Sequence, residues 1–118
     1  ATVSQYAALA ALTDTAQADR EIATMVHAFK ARRDAAMAIL AAEPALRVIP
    51  PDGAFYLYVE APHGDGAAFA DRLLEQHDVA VVPGAAFATP GWIRMSYAAS
   101  MEQVVAGATA ILTAYRES

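Results

Sequence analysis

This sequence predicts an α+β fold, in which helices cover a small and mainly antiparallel sheet. Long alanine-rich stretches with apolar side chains at helical spacing lie near both ends of the chain. Between them lie short runs of alternating side chains that are rich in β-branched and aromatic residues. One connection between two such runs is too short for a crossover, which favours antiparallel pairing.

The composition of the 118-residue chain limits the classes of function. The net charge of −5 argues against binding to nucleic-acid phosphates. The chain has no cysteine, which excludes disulfides and thiolate metal sites. No apolar run reaches the roughly 20 residues that a membrane span needs. We therefore expect a cytoplasmic protein that has neither nucleic acid nor a membrane as a partner.

The expected elements follow the order helix, helix, strand, strand, helix, strand, strand, helix. We expect helices at 4–12, 16–42, 66–76 and 101–116, and strands at 46–49, 54–60, 79–82 and 92–98. The turn at 50–53 predicts a hairpin, because proline presets φ and Gly53 permits a positive φ. Asp65 and Ser100 stand at N-cap positions, and Gln103 completes a capping box with Ser100.

Apolar side chains at spacings of three and four indicate the buried side of each helix. In the long helix these residues are Ile22, Met25, Val26, Phe29, Ala36, Met37 and Leu40. In the two later helices they are Phe69, Leu73, Val104, Ala108, Ile111, Leu112 and Tyr115. We expect the helices at 16–42 and 101–116 to pack on the sheet, and the strand at 79–82 to be buried.

The last expected strand carries one charge, Arg94, among apolar residues. Because side chains alternate along a strand, the residues divide into two faces: Ile93, Met95 and Tyr97 on one, and Trp92, Arg94 and Ser96 on the other. An unpaired buried charge costs several kcal/mol. The simplest structural interpretation is an edge strand with one solvated face. The functional interpretation is that Arg94 grips a carboxylate ligand with two parallel hydrogen bonds.

Other reactive side chains do not form a recognisable site in the sequence. His27, His63 and His77 are scattered without ligand spacing, so we expect no metal site. No serine stands in a nucleophile elbow. Lys30, the only lysine, lies beside the apolar stripe of the long helix, where a snorkelling side chain is a better interpretation than a Schiff-base lysine.

Five stretches resemble, in the same order, the C-terminal part of class I/II pyridoxal-phosphate aminotransferases of fold type I. The aspartate aminotransferase-like branch is the most similar. The stretches are 4–12, Arg32-Arg33-Asp34, Pro51-Asp52-Gly53-Ala54-Phe55-Tyr56, Val82-Pro83-Gly84-Ala85-Ala86-Phe87 and Gly91-Trp92-Ile93-Arg94-Met95-Ser96-Tyr97-Ala98. The resemblance covers essentially the whole chain, and the motif around Arg94 is its most specific part.

The resemblance implies a role for Arg94 in a longer parent enzyme. In that family the matching arginine binds the α-carboxylate of the amino-acid substrate, and Phe87 would form a wall near the same opening. The implied reaction transfers an amino group between an amino acid and a 2-oxo acid. It depends on pyridoxal 5′-phosphate, which a large domain binds, and the parent is expected to be a homodimer.

The family's cofactor-binding motifs have no match in this chain. The cofactor lysine, the aspartate that pairs with the pyridine nitrogen and the phosphate-binding segment are all missing. The chain therefore resembles the small C-terminal domain alone, at 16–118, with 1–15 as a remnant of the inter-domain or large-domain helix region. We expect no catalytic, cofactor-binding or metal-binding residue here, no bound cofactor, and no activity from these residues alone.

Two alternative functions stay open at this point. The chain could be a free-standing module that binds carboxylates through Arg94, or an interaction module. It could instead belong to another fold type I pyridoxal-phosphate enzyme, such as a synthase or a C–S lyase, because these enzymes share the arginine. Ferredoxin-like regulatory domains are of similar size, but their βαββαβ order does not match two leading helices.

Overall fold

The computed structural model describes all residues from Ala1 to Ser118 and confirms the α+β fold. The helices are α1 (Thr2–Thr13), α2 (Thr15–Leu40), α3 (Gly66–His77) and α4 (Met101–Arg116). The strands are β1 (Val48–Ile49), β2 (Tyr56–Glu60), β3 (Val82–Pro83) and β4 (Trp92–Ser96). Two short 3₁₀ turns, Pro62–Gly64 and Gly84–Phe87, complete the chain.

The contacts within the chain form two compact units. The first unit, Ala1–Lys30, holds α1 and the first half of α2. The second unit, Ala31–Ser118, holds the end of α2, the whole sheet, α3 and α4. All the sequence motifs that surround Arg94 therefore lie in the second unit.

The sheet has four antiparallel strands in the order β1-β2-β4-β3. The predicted hairpin is confirmed, because Val48 pairs with Val59 across β1 and β2. In the middle of the sheet Arg94 pairs with Tyr58 on one side and with Val82 on the other. The edge-strand interpretation of the Arg94 segment is therefore wrong, since β4 has a neighbour on both sides.

The inner face of the sheet is the centre of the core, as the alternation predicted. Leu57, Val59, Ile93 and Met95 are buried on β2 and β4, and Tyr97 follows them just beyond β4. The helices add the buried side chains Leu40, Phe69, Leu73, Val104, Ala108, Ile111 and Leu112. Burial raises the pKa of Tyr97 above its ordinary value of 10.0, which is consistent with its place in this core.

Both predicted helix caps are present. The Asp65 carboxylate accepts a hydrogen bond from the Ala68 N–H at 3.0 Å at the start of α3. At the start of α4 the Ser100 hydroxyl accepts from the Gln103 N–H at 3.2 Å, and the Gln103 side chain accepts from the Ser100 N–H at 3.3 Å. These bonds satisfy N–H groups that have no partner inside the helix.

Two predicted local features differ from the structure. The predicted strand at 79–82 is shorter and shifted, because only Val82 and Pro83 join the ladder, and none of residues 79–82 is buried. Val79 instead donates its N–H to the Leu73 carbonyl at the end of α3, which keeps it out of the sheet. In the hairpin connection Ala54, not Gly53, takes the left-handed conformation, with φ of 59°.

The predicted apolar stripe of α2 is buried only near its end. Ala36 and Leu40 are buried, whereas Ile22, Met25 and Val26 are exposed. Helix α1 likewise has no buried residue, although Tyr6 and Leu9 are apolar. Helical periodicity indicates an apolar face, but it does not indicate which surface covers that face. No helix of the structure has the length and apolar character needed to cross a bilayer.

Two adjacent leucines on α3 test this description of the core. Leu73 is fully buried and Leu74 is 55% exposed. We expect Leu73→Ala to lower the free energy of unfolding by about 2–5 kcal/mol, because it leaves a cavity. Leu74→Ala should change it by less than about 0.5 kcal/mol. Urea unfolding followed by circular dichroism measures both variants, and equal losses would contradict the assigned orientation of α3.

Candidate functional site

The outer face of the sheet carries Arg94 among aromatic residues. The cross-strand register places Tyr58 beside Arg94, Tyr56 beside Ser96, and Glu60 beside Trp92. These outer-face side chains are half-buried or exposed, in contrast to the buried inner face. The predicted division of β4 into two faces is therefore confirmed.

The guanidinium of Arg94 lies between two aromatic rings. Its Cζ atom is 4.2 Å from the ring centroid of Tyr56 and 4.4 Å from that of Phe87. A cation over the face of an aromatic ring gains about 0.5–2 kcal/mol, more when water is excluded. Aromatic faces, and not a carboxylate, therefore stabilise this charge.

The side chain of Arg94 has no ion pair and no hydrogen bond within the chain. Its Nε is buried without a hydrogen-bond partner, whereas the two terminal Nη nitrogens are not buried in this way. Two aromatic rings thus lie beside the guanidinium, and the protein covers its Nε. The end that carries the two Nη nitrogens is therefore the part that a ligand can approach.

The aromatic contacts continue across the sheet away from Arg94. The ring of Tyr58 stacks on that of Trp92, with centroids 5.7 Å apart, and it meets Phe87 edge-on at 6.5 Å. At the far end the Arg47 guanidinium lies 5.3 Å from the centroid of Trp92 and bonds Glu60 at 3.1 Å. Glu60, an acidic residue of this face, is thus paired with Arg47 rather than with Arg94.

The 3₁₀ turn Gly84–Phe87 places the Phe87 ring on Arg94. Thr89 closes this turn, because its N–H and its hydroxyl both donate to the Gly84 carbonyl, at 3.0 and 3.1 Å. A Cβ at position 84 would lie 2.2 Å from the Thr89 carbonyl oxygen and 2.7 Å from that of Trp92. Only glycine fits this close approach of the backbone.

A second glycine fixes the chain between the turn and β4. The N–H of Gly66, the first residue of α3, donates to the Pro90 carbonyl at 2.8 Å. A Cβ here would lie 2.1 Å from the Trp92 carbonyl oxygen. The start of α3 and the start of β4 are therefore packed backbone against backbone, which limits movement of the loop that leads to Arg94.

The structure does not bring the other candidate residues into this site. His63 lies in the turn Pro62–Gly64, and His77 ends α3 with its Nε2 3.8 Å from a Glu117 carboxylate oxygen. His27 and Lys30 lie on the part of α2 that belongs to the first unit. No group of three His, Cys, Asp or Glu side chains could hold a metal ion.

The residues of this chain do not fit covalent attachment of pyridoxal phosphate. A lysine that forms a Schiff base needs a desolvated pocket or a neighbouring cation. Lys30 is exposed on α2, so it lacks a desolvated environment. These residues therefore offer no attachment point for the cofactor.

Sequence reasoning identified Arg94 and Phe87 but missed three residues of the site. Tyr56 was not indicated as a neighbour of Arg94, although the Arg94 Cζ atom lies over its ring. Tyr58 and Thr89 were not singled out, although their hydroxyl groups are hydrogen-bonded to each other. The alternation of 54–60 is the pattern that could have indicated Tyr56 and Tyr58 as neighbours of Arg94.

A matched pair of glycine substitutions tests the geometry of the turn. Gly84→Ala should lower the free energy of unfolding by about 1–3 kcal/mol, because the new methyl group overlaps backbone atoms. Gly53→Ala should have little effect, since a Cβ there meets nothing within 4 Å and φ is not positive. Urea unfolding measures both variants, and a stable Gly84→Ala protein would contradict the packing of the turn against β4.

Comparisons with known proteins agree with this architecture. The family model for aminotransferase class I and II matches residues 1–111. A probable aspartate/prephenate aminotransferase of Aquifex aeolicus is 42% identical, over 98% of this chain and 30% of that protein. The aspartate aminotransferase of Thermotoga maritima is 41% identical, over 87% of this chain and 25% of that protein.

A solved structure extends the similarity to the fold. Aspartate aminotransferase from Thermus thermophilus, solved with maleate, matches with a TM-score of 0.87 at 35% identity, over 96% of this chain and 30% of that chain. The chain thus spans roughly a third or less of the length of these relatives. Because the family model covers nearly all of the chain, the chain belongs to the aminotransferase class I and II family, and it resembles the aspartate aminotransferases within it.

Proposed function

We propose that this chain is the small domain of a pyridoxal-phosphate-dependent aminotransferase and that Arg94 binds the α-carboxylate of the substrate. The observation that carries the proposal is that no acidic side chain neutralises the guanidinium of Arg94. It is held between the rings of Tyr56 and Phe87 and has no acidic partner. A cation that is fixed but not neutralised is suited to a planar anion.

The surroundings of the guanidinium favour one direction of approach. Since two aromatic rings lie beside the group and Nε is buried, a carboxylate in this proposal meets Arg94 at the two Nη nitrogens. Two parallel N–H···O hydrogen bonds then form, which fixes the orientation of the carboxylate as well as its position. In this proposal Phe87 and Tyr56 hold the arginine, and the chain supplies no group that transfers a proton.

The parent protein in this proposal transfers an amino group between an amino acid and a 2-oxo acid. Its cofactor is pyridoxal 5′-phosphate, held by a large domain, and it acts as a homodimer. Residues 16–118 form the small domain, and 1–15 belong to the region that leads to the large domain. The cytoplasmic location stays a prediction from the sequence.

The names of the relatives support this proposal over its alternatives. The relatives described above are named as aminotransferases, whereas a synthase, a C–S lyase or a free-standing carboxylate-binding module is not among them. The Thermus enzyme was solved with maleate, a dicarboxylate. Maleate is therefore a suitable probe for carboxylate binding by Arg94 in the parent of this chain.

Substitutions at Arg94 in the full-length parent test the proposed role. Arg94→Lys keeps the charge but loses the paired donors, so we expect kcat/KM for the amino acid to fall about 10- to 100-fold. In Arg94→Ala, kcat/KM should fall further, because this substitution also removes the charge. The inhibition constant of maleate should rise in parallel, while the absorbance of the bound cofactor should be unchanged in both variants.

Arg116→Lys provides the matched control. Arg116 ends α4 and bonds Glu43 at 3.2 Å, outside the aromatic face. Its replacement should leave kcat/KM within about twofold, since exposed ion pairs contribute little. Wild-type kcat/KM in Arg94→Ala, with the amino acid as the varied substrate, would refute the proposed role of Arg94.

We further propose that the 118 residues alone are catalytically inactive, because Lys30 is exposed and no other lysine is present. Mixing the chain with pyridoxal phosphate should give no stoichiometric absorbance band from a specific lysine adduct. Absorbance titration measures this outcome. A saturable band that disappears in Lys30→Ala would contradict the proposal and would identify Lys30 as a cofactor-binding residue.

A further inference from the structure

Tyr58 contacts residues on β4 and in the turn that precedes it. Its Cα is the direct cross-strand partner of Arg94, although the rings over which the Arg94 guanidinium lies are those of Tyr56 and Phe87. Its ring is stacked on Trp92 and meets Phe87 edge-on. Its hydroxyl is hydrogen-bonded to the Thr89 hydroxyl. Tyr58 thus links β2 to the turn that carries Phe87. The guanidinium of Arg94 itself lies over the rings of Tyr56 and Phe87, not over that of Tyr58.

The direction of this hydrogen-bond chain follows from the number of protons. The Thr89 hydroxyl has one proton and donates it to the Gly84 carbonyl at 3.1 Å. It therefore accepts a hydrogen bond from the Tyr58 hydroxyl, so the chain runs from the Tyr58 O–H to the Thr89 O–H and then to the Gly84 carbonyl. Removing the Tyr58 hydroxyl removes one of the hydrogen bonds that fix the side-chain conformation of Thr89.

Phe87 depends on this turn for its position. Its side chain is 43% exposed, so burial alone does little to fix the ring. The Arg94 Cζ atom nevertheless lies over this ring, 4.4 Å from its centroid. The backbone of the turn, closed by Thr89 on Gly84, therefore sets where the ring lies and limits where the guanidinium can lie.

From these contacts we infer that Tyr58 is a positioning residue for Arg94. It acts through Thr89 and the turn Gly84–Phe87, which carries the ring that limits where the guanidinium can lie. This inference rests on the proposed carboxylate-binding role of Arg94. A guanidinium that is held in place before the ligand arrives loses less conformational freedom on binding, and that lowers the cost of binding the carboxylate.

The test begins with three substitutions in the full-length parent enzyme. Tyr58→Phe keeps the ring and removes the hydroxyl, and Thr89→Val removes the hydroxyl that links Tyr58 to Gly84. We expect each to raise KM for the amino acid and the inhibition constant of maleate about 3- to 10-fold, with kcat changed much less. Thr89→Ser, which keeps the hydroxyl, should restore values near wild type. Cofactor absorbance should be unchanged throughout.

Tyr115→Phe is the matched control for loss of a tyrosine hydroxyl. The Tyr115 hydroxyl donates to the Ala45 carbonyl at 3.1 Å, away from the aromatic face. This variant should leave KM and the inhibition constant of maleate unchanged, even if it lowers the melting temperature as much as Tyr58→Phe does. An equal rise of KM in Tyr115→Phe would overturn the inference, because general destabilisation would then explain the effect.

A double-mutant cycle with Arg94→Lys separates the positioning role from the proposed function. If Tyr58 acts through Arg94, Tyr58→Phe should add less than twofold to KM in the Arg94→Lys background. The same 3- to 10-fold rise in both backgrounds, or no rise in wild type, would overturn the inference alone. Unchanged kinetics in Arg94→Lys itself would instead overturn the carboxylate-binding role and the inference with it.

Discussion

The site depends on a permanent positive charge placed in the middle of a sheet. Strand β4 has a neighbour on each side, and its inner residues Ile93 and Met95 are buried in the core. Because side chains alternate along a strand, packing of these residues forces Arg94 onto the outer face. The direction of the arginine is therefore set by the core and not by the site, and a shift of register by one residue would move it into the core.

The way in which the charge is stabilised decides what it can do. Arg33, Arg47 and Arg116 each have a carboxylate oxygen within 3.2 Å. Arg94 has aromatic rings instead. A carboxylate neighbour would neutralise the guanidinium and compete with an anionic ligand for the same donors, whereas ring faces attract the cation and leave its in-plane donors available. The contrast between Arg94 and these three arginines supports a binding role for Arg94.

Much of the fold could be predicted because it follows from local patterns. Alternation in 54–60 and 92–98 indicated the two faces of the sheet, and Asp65 and Ser100 indicated where α3 and α4 begin. The central position of β4 could not be predicted, since it depends on which distant strands pair with it. Likewise, Tyr56 and Phe87 lie far apart in the sequence, and they meet at Arg94 only because of strand pairing and the path of the turn.

The turn before β4 has a backbone geometry that local composition alone does not indicate. A run of glycine, proline and alanine predicts an irregular loop, yet residues 84–87 form a 3₁₀ turn closed by Thr89. Gly84 is needed here because the backbone approaches Thr89 and Trp92 too closely for any Cβ. This close approach brings the turn against the sheet, so that an exposed ring at Phe87 can hold Arg94. The absence of a side chain at Gly84 thus allows the turn to bring the Phe87 ring against Arg94.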